Sequence, residues 1–326
     1  MNLNNKSVLV TGGAGFIGSH LVDRLIKEKP SNIVVVDNFY LGKESNLQDA
    51  RSNFPGLKIV KMDASDQKKM ERLLKKEDVE VVFNLAVIPL PLSLIEPCRV
   101  YRHNVDIVLS ACELIRKGFY KTLIHYSSSE AYGDCQYAPM DEQHPLNPAT
   151  SYGASKAATD HLVLSYCKSF GIDAAIIRPF NNYGPRQNEG SYAGVIPITI
   201  KRIVSGESPV IYGDGEQTRD FIYVADTAEA AVKVYDCPDT RGRIINIASG
   251  QEIKIKDLIK RIAEYMEYNK FCRYLDQRPG DLRRLVGGID LAKDLILFVP
   301  IISFSEGLKA TIEWFQEAGC HAVVKS

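Results

Sequence analysis

The sequence is short of the features that mark several large classes of protein. Its seven cysteines, Cys98, Cys112, Cys135, Cys167, Cys237, Cys272 and Cys320, are odd in number and widely spaced, with no C-x-x-C pair. Such spacing offers neither a disulfide framework nor a zinc site, so free thiols and no metal are expected. Neither sign of charge is in excess. Lys and Arg total 40, as do Asp and Glu, which gives no global reason to expect nucleic acid or a membrane surface as a partner. No apolar run reaches the roughly 18 residues of a spanning helix. The opening MNLNNKSV lacks the apolar core of a secretory signal, and a cytoplasmic location is expected. No internal repeat or low-complexity segment is present. What remains is 326 residues, 45% hydrophobic and 25% charged, an ordinary globular composition long enough for two lobes.

The most informative stretch is VLVTGGAGFIGSH, residues 8–20. An apolar strand runs into Gly12, Gly13, Gly15 and Gly18 and then into an apolar-periodic helix. The glycines serve a tight turn, close approach of backbone to a pyrophosphate, and close packing of helix on strand. The helix start offers unpaired N–H groups and a partial positive charge to phosphate. A second strand, 33–36, ends in Asp37, about 20 residues on, where a carboxylate accepts from the adenosine ribose hydroxyls. That carboxylate would repel a 2′-phosphate, so NAD is expected rather than NADP.

Strands expected at 57–61, 80–85 and 121–126 alternate with helices expected at 66–76 and 98–117. The pattern is that of an α/β, Rossmann-type, doubly wound parallel sheet. Ligands bind outside the carboxyl ends of such strands. Asp63 lies there, either at the adenine or capping a helix. The apolar loop from Ile88 to Ser93 lies there too, either beside the substrate or as a packed turn. The fifth strand ends in Ser127, Ser128, Ser129 and Glu130, and a helix from 151 to about 170 opens with Tyr152 and Lys156. Four residues apart, these two share a helix face. Beyond about residue 188 the alternation breaks. The expected organisation is a dinucleotide-binding domain over 1–178 and a smaller α/β substrate lobe over 179–326, with segments returning to the main sheet.

In this order the motifs GGAGFIG at Gly12, Asp37, SSSEAYG at Ser127, YGASK at Tyr152, RPFNNYGPRQ at Arg178, GDGEQTRDF at Gly213 and RPGD at Arg278 resemble the extended short-chain dehydrogenase/reductases, specifically the sugar-nucleotide epimerases and dehydratases. The resemblance covers essentially the whole chain. It implies that Tyr152 is the base, with Lys156 as its electrostatic partner and nicotinamide-ribose ligand, and that Ser128 hydrogen-bonds the reacting oxygen. A phenol of ordinary pKa needs a shift of roughly 3 units, about 4 kcal/mol, to act near pH 7. The positive charge of Lys156 and of the oxidised nicotinamide is expected to supply it.

Around the cofactor the resemblance implies contacts from Gly12, Gly15, Phe16, Ile17 and Gly18, and from Asp37 with Asn38. Further along it implies Asp63 with Ala64, Leu85 with Ala86, and Asn104, Ser127 and Pro179. For a UDP-sugar it implies Asn181 at the diphosphate, Arg219 and Arg278 clamping it, and Asp281 on the ribose. Ser93, Ser128, Arg186 and Tyr212 complete the expected substrate set. Guanidinium groups suit phosphate because they engage two oxygens at once.

The resemblance also implies a homodimer packed through the 98–117 and 151–170 helices. Glu130 divides the family: glucose/galactose-type epimerases often carry a small or neutral residue there, whereas 4,6-dehydratases and uronic acid decarboxylases often carry Glu. The reaction expected first is 4-epimerisation through a transient 4-keto sugar. A 4,6-dehydratase using Glu130 is the alternative, ahead of a uronic acid decarboxylase or a non-catalytic NAD-binding protein. The surroundings of Arg278, and Asn188-Glu189 where uronic acid 4-epimerases commonly have a second arginine, speak against a carboxylate-bearing sugar.

Overall fold

The computed structural model describes residues 1–190, 193–277 and 280–323. In chain order the first half reads β1 (Ser7–Thr11), α1 (Phe16–Ile26), β2 (Asn32–Asp37), α2 (Gln48–Asn53), β3 (Lys58–Lys61), α3 (Gln67–Lys76), β4 (Val81–Asn84), α4 (Leu90–Ser93), α5 (Pro97–Arg116), β5 (Thr122–Tyr126), α6 (Ser151–Phe170) and β6 (Asp173–Pro179). The second half follows with β7 (Asn181–Tyr183), α7 (Val195–Val204), β8 (Val210–Tyr212), β9 (Thr218–Arg219), β10 (Phe221–Tyr223), α8 (Val224–Asp236), β11 (Ile244–Ile247), β12 (Ile253–Lys254), α9 (Ile255–Tyr265), β13 (Arg273–Leu275), α10 (Asp290–Ile296) and α11 (Phe304–Val323).

Seven strands form one sheet in the order β11-β6-β5-β4-β1-β2-β3, and every neighbouring pair is parallel. Strands buried on both faces read as continuous apolar runs, as Val8–Val10 and Ile33–Val36 do, all at zero exposure. One apolar cluster lies on each side of the sheet. The chain runs from β1 outward to β3, then crosses back to β4 and continues the other way. This reversal leaves a crevice at the carboxyl ends of β1 and β4, the place where such sheets bind ligands.

The remaining strands make three two-stranded pairs, β7–β10, β9–β12 and β8–β13. They sit around a third apolar cluster that includes Tyr183, Ile200, Phe221, Leu258 and Leu308. A fourth, with Tyr132, Phe180 and Leu282 among its members, joins segments from both halves of the chain.

Candidate active site

The glycine turn is forced by contact. Gly12 has φ +68°, and a Cβ there would lie 2.9 Å from the Ala86 backbone nitrogen; a Cβ on Gly18 would lie 2.2 Å from the Gly12 carbonyl oxygen. Helix α1 therefore starts hard against β1, and its N-cap Gly15 carries no side chain to cover the first N–H groups. Across the crevice, Thr11 Oγ1 donates to Asn84 Oδ1 at 2.7 Å and accepts from Leu85 N and Ala86 N, each at 3.1 Å. That one hydroxyl ties the ends of β1 and β4 and fixes the backbone opposite the turn.

Asp37 is buried. One of its oxygens accepts from Ala14 N at 3.0 Å and the other from Phe39 N at 2.8 Å. Burial raises its carboxyl above the usual range, against those two bonds. A Cβ on Gly42 would come within 2.8 Å of the Asp37 carboxylate, so backbone packs closely around it.

The cleft between these features has a volume of about 320 Å³. All the residues expected at the cofactor line it except Asn104. Asn104 is buried behind the wall: it accepts from Ile88 N at 2.8 Å and donates to Ile88 O at 3.1 Å and to Ser155 Oγ at 3.2 Å. It braces the apolar loop against α6. Asp63 lines the cleft and also accepts from Ser65 N and Ser65 Oγ at 2.9 and 2.7 Å, while the cap of α3 is Asp66. An uncapped helix end, a bare glycine turn and a strand-end carboxylate fit a dinucleotide, with the helix N–H groups for its pyrophosphate.

At the inner end of the cleft the last residue of β5 and the two that follow it each grip α6. The Tyr126 carbonyl accepts from Lys156 Nζ at 2.7 Å, Ser127 Oγ donates to Asp160 Oδ2 at 2.7 Å, and Ser128 shares a hydrogen bond with Tyr152. Ser128 Oγ also accepts from Glu130 N at 3.3 Å, capping a short 3-10 turn over Ser129–Ala131.

Burial pushes the Tyr152 phenol up to about 12; the bond from Ser128 opposes this, and the negative charges of Glu130 and Asp160 add to it. Lys156 falls to about 8, again through burial, with Asp160 opposing. The expected lowering of Tyr152 by Lys156 is thus not a property of the protein side chains by themselves. The ammonium is bound to the Tyr126 carbonyl and lies 6.0 Å from the Tyr152 ring centre. Desolvation, which penalises the charged form, prevails over it.

Glu130 is half-buried and its carboxyl rises to about 7, mainly through burial; Arg219 pulls it down, and Asp281 and Asp134 push it up. It therefore lies within electrostatic reach both of Tyr152 and of the second-half pair. In that pair Arg219 donates to Asp281 Oδ1, and its other amine reaches the Leu282 and Thr218 carbonyls at 2.8 Å. Gln217 Nε2 donates to Asp281 Oδ2 at 3.5 Å and to the Tyr212 carbonyl at 2.9 Å, which links three of the expected substrate residues.

Asn181 is held by the Asp220 carbonyl, through its backbone N at 3.0 Å and its Nδ2 at 3.4 Å. Ser93 is buried, and its hydroxyl has no hydrogen-bond partner among the described residues. Arg186 lies elsewhere, in the wall of the cofactor cleft. At φ +65° it follows Gly184 and Pro185 back over α1, donating to Asp23 at 2.6 Å and Asp49 at 3.0 Å. Arg278 falls outside the described residues.

Three buried charged residues escaped the sequence reading: Asp160, Arg178 and Asp220, each at zero exposure. Asp160 follows Lys156 at the same spacing that links Lys156 to Tyr152, a signal the sequence did carry. Asp220 accepts from Ser249 N and Oγ, Gly250 N and Gly287 N at 2.6–3.1 Å. It stitches the segment before β10 to two later loops, which no local pattern announces.

Fold and cleft together define a dinucleotide-binding protein of the doubly wound α/β class. The chain belongs to the NAD dependent epimerase/dehydratase family, whose family model matches residues 8–248, and NAD is its cofactor. It is similar to a UDP-N-acetylglucosamine 4-epimerase of Methanobrevibacter ruminantium, solved in complex with UDP-N-acetylmuramic acid. The two share 39% identity over 97% of this chain and 99% of that one, with a TM-score of 0.89. It is 34% identical, over 96% of its length and 98% of the relative, to a UDP-N-acetyl-alpha-D-glucosaminuronate decarboxylase of Bacillus cytotoxicus. It is also similar to a dTDP-glucose 4,6-dehydratase of Streptomyces venezuelae solved with NAD and TYD bound, at 27% identity over 95% of this chain and 97% of that one, with a TM-score of 0.90. Among the described residues no cluster of metal-ligating side chains occurs, and no helix is long and apolar enough to cross a membrane.

Proposed function

We propose that the protein is a cytoplasmic sugar-nucleotide 4-epimerase acting on a UDP-sugar through a transient 4-keto sugar. The observation that carries the reading is the grip of Ser128, Tyr152 and Lys156 at the inner end of the cofactor cleft, with Arg219 and Asp281 within electrostatic reach through Glu130. Tyr152 Oη takes the proton of the C4 hydroxyl, and Ser128 Oγ holds that oxygen in line. Lys156 supplies an ammonium one helical turn away. Arg219, and with it Arg278, holds the diphosphate while Asp281 meets the ribose, and the Tyr152 proton returns to the C4 oxygen once the keto sugar has turned over. Bound NAD would accept the hydride from C4 and give it back, so that no net redox change occurs, and when oxidised it would supply the positive charge that brings the phenol of Tyr152 down from about 12. The Methanobrevibacter 4-epimerase, at 39% identity, supports this reaction.

Glu130 favours a second reading. A half-buried carboxyl at about 7 is poised to take or give a proton at neutral pH, which suits removal of the C5 proton by a 4,6-dehydratase. Incubation with a panel of nucleotide sugars in deuterated water, followed by NMR, separates the readings. A C4 epimer without solvent label supports the epimerase. Deuterium at C5 with a 4-keto-6-deoxy product makes it a dehydratase, and loss of C6 from a uronic acid makes it a decarboxylase.

We also infer a homodimer through α5 and α6. These two helices pack on each other, and α5 keeps Tyr101 and Leu109 exposed. Sedimentation at a single mass of one chain would overturn it.

A further inference from the structure

Behind the Ser128, Tyr152 and Lys156 group lies a sealed ionic network. Asp160 Oδ2 accepts from both Ser127 Oγ at 2.7 Å and Arg178 Nη2 at 2.6 Å. Both charged residues are at zero exposure. The Arg178 guanidinium lies 4.3 Å from the centre of the Tyr132 ring, and the Tyr132 hydroxyl donates to Asn246 Oδ1 at 2.8 Å.

The network is incompletely satisfied, since Asp160 Oδ1, Arg178 Nε and Arg178 Nη1 are buried with no hydrogen-bond partner among the described residues. A buried ion pair of this kind is a poor source of stability, because apolar side chains of similar volume often do as well or better. Its position suggests another use. Tyr152, Lys156 and Asp160 follow one another at four-residue intervals along one face of α6, and Ser127 immediately precedes Ser128.

We propose that Asp160, held by Arg178, is a positioning residue for the reaction proposed above: it fixes the Ser127–Ser128 turn from behind and places a negative charge one helical turn beyond Lys156. The inference rests on that reading for its chemistry, and on the contacts themselves for its geometry. Ser128 reaches Tyr152 only if the turn after β5 keeps its register on α6. Two of the three bonds that set this register go to Lys156 and Asp160.

The groups facing Lys156 are Tyr152 and Asp160 on its own helix, His125 on β5, and beyond Asp160 the guanidinium of Arg178 on β6. Glu130 faces Tyr152. Among these, Asp160 is the anion that favours the ammonium of Lys156, and it also disfavours ionisation of Tyr152. Removing its charge moves both groups the same way, toward losing their protons at lower pH.

The test compares Asp160→Asn with the charge-balanced pair Asp160→Asn/Arg178→Met, each purified with its NAD. Turnover is followed from pH 6 to 10, together with KM and thermal midpoint. In Asp160→Asn, kcat should fall about tenfold to hundredfold with KM and bound NAD little changed, and both limbs of the pH profile should move to lower pH. The double variant should regain the wild-type thermal midpoint and should not regain kcat; if Asp160→Asn alone fails to fold, this variant carries the test. Full recovery of kcat in the double variant would overturn the proposal, as would a loss in Asp160→Asn that is the same at every pH.

A readout without substrate separates this proposal from the epimerase reading. In protein labelled with ¹³C-lysine, the Lys156 side-chain resonance, assigned with Lys156→Met, should titrate at lower pH in Asp160→Asn. An unmoved midpoint sinks the role of Asp160 even if the wild type epimerises. A wild type that turns over no nucleotide sugar sinks the epimerase reading while leaving the titration to be judged by itself.

Discussion

Glu130 works against the stability of the fold that contains it. Its carboxyl rises from an ordinary 4.5 to about 7 on folding, so the folded state binds this proton more tightly than the unfolded chain does. The resulting penalty is absent below about pH 4.5, grows as pH rises toward 7, and is complete above that. Glu130→Gln should therefore be more stable than the wild type at pH 8, by on the order of 2 kcal/mol once solvent access to the half-buried group is allowed for. Near pH 4 the two proteins should match. Thermal midpoints at the two pH values measure this, and equal differences at both would mean that the side chain only braces its loop.

At the same scale, Tyr152→Phe should lower turnover at least a hundredfold while the purified protein still carries NAD by its absorbance. The Tyr152, Lys156 and Ser128 set was legible in the sequence because helical spacing and a strand-end serine cluster are local patterns. The direction of the Tyr152 shift was not legible, because it depends on how deeply the phenol is buried and on where the Lys156 ammonium finds an acceptor.

Among the elements, α6 begins and ends where its sequence says, at Ser151 and Phe170. Thr150 caps it by accepting from Gly153 N, and Gly171 closes it in the left-handed region at φ 65°. These are chemical stop signals that need no tertiary context. The paired segments β7–β10 and β9–β12, of two or three residues each, carry no periodicity to read, and only their distant partners define them.

The segment after β7 is the clearest case. Its Gly-Pro-Arg sequence suggested a substrate contact, yet Pro185 O meets His20 Nε2 at 3.0 Å and Arg186 bridges Asp23 and Asp49. Burial there lowers His20 to about 4, so it stays neutral at physiological pH and adds no charge beside Arg186. This strap packs against α1 and α2 at the cofactor cleft, and Arg186→Ala should weaken NAD retention about tenfold, or roughly 1.4 kcal/mol. The ratio of NAD to protein after dialysis reads the effect, and unchanged retention would show that the strap does not hold the cofactor.

Across the whole molecule, the alternation of strands and helices announced a parallel sheet, and the sheet is there. The second half of the chain contributes to that sheet and to its core. The seventh strand, β11, pairs with β6 from Ile244↔Ile176 to Ile247↔Pro179, and α8 packs on the same side as α1. The buried Ile222, Val232, Val234, Ile245 and Ile247 belong to one apolar cluster with Val8, Leu21 and Val35. A fragment of residues 1–178 should therefore show no cooperative thermal transition, whereas the full chain should. A sharp calorimetric melt of the fragment would show that the first half folds by itself.

The late arrival of β11 also bears on how the protein is made. When β6 leaves the ribosome, its outer edge is unpaired and apolar from Ala174 to Ile177, the kind of edge that invites pairing with another chain. Its partner emerges roughly 70 residues later, on the order of 3 to 14 seconds at ordinary rates of elongation. Throughout that interval the nascent sheet is open on one side, and slow or stalled synthesis between β6 and β11 would yield aggregation rather than a partly active enzyme.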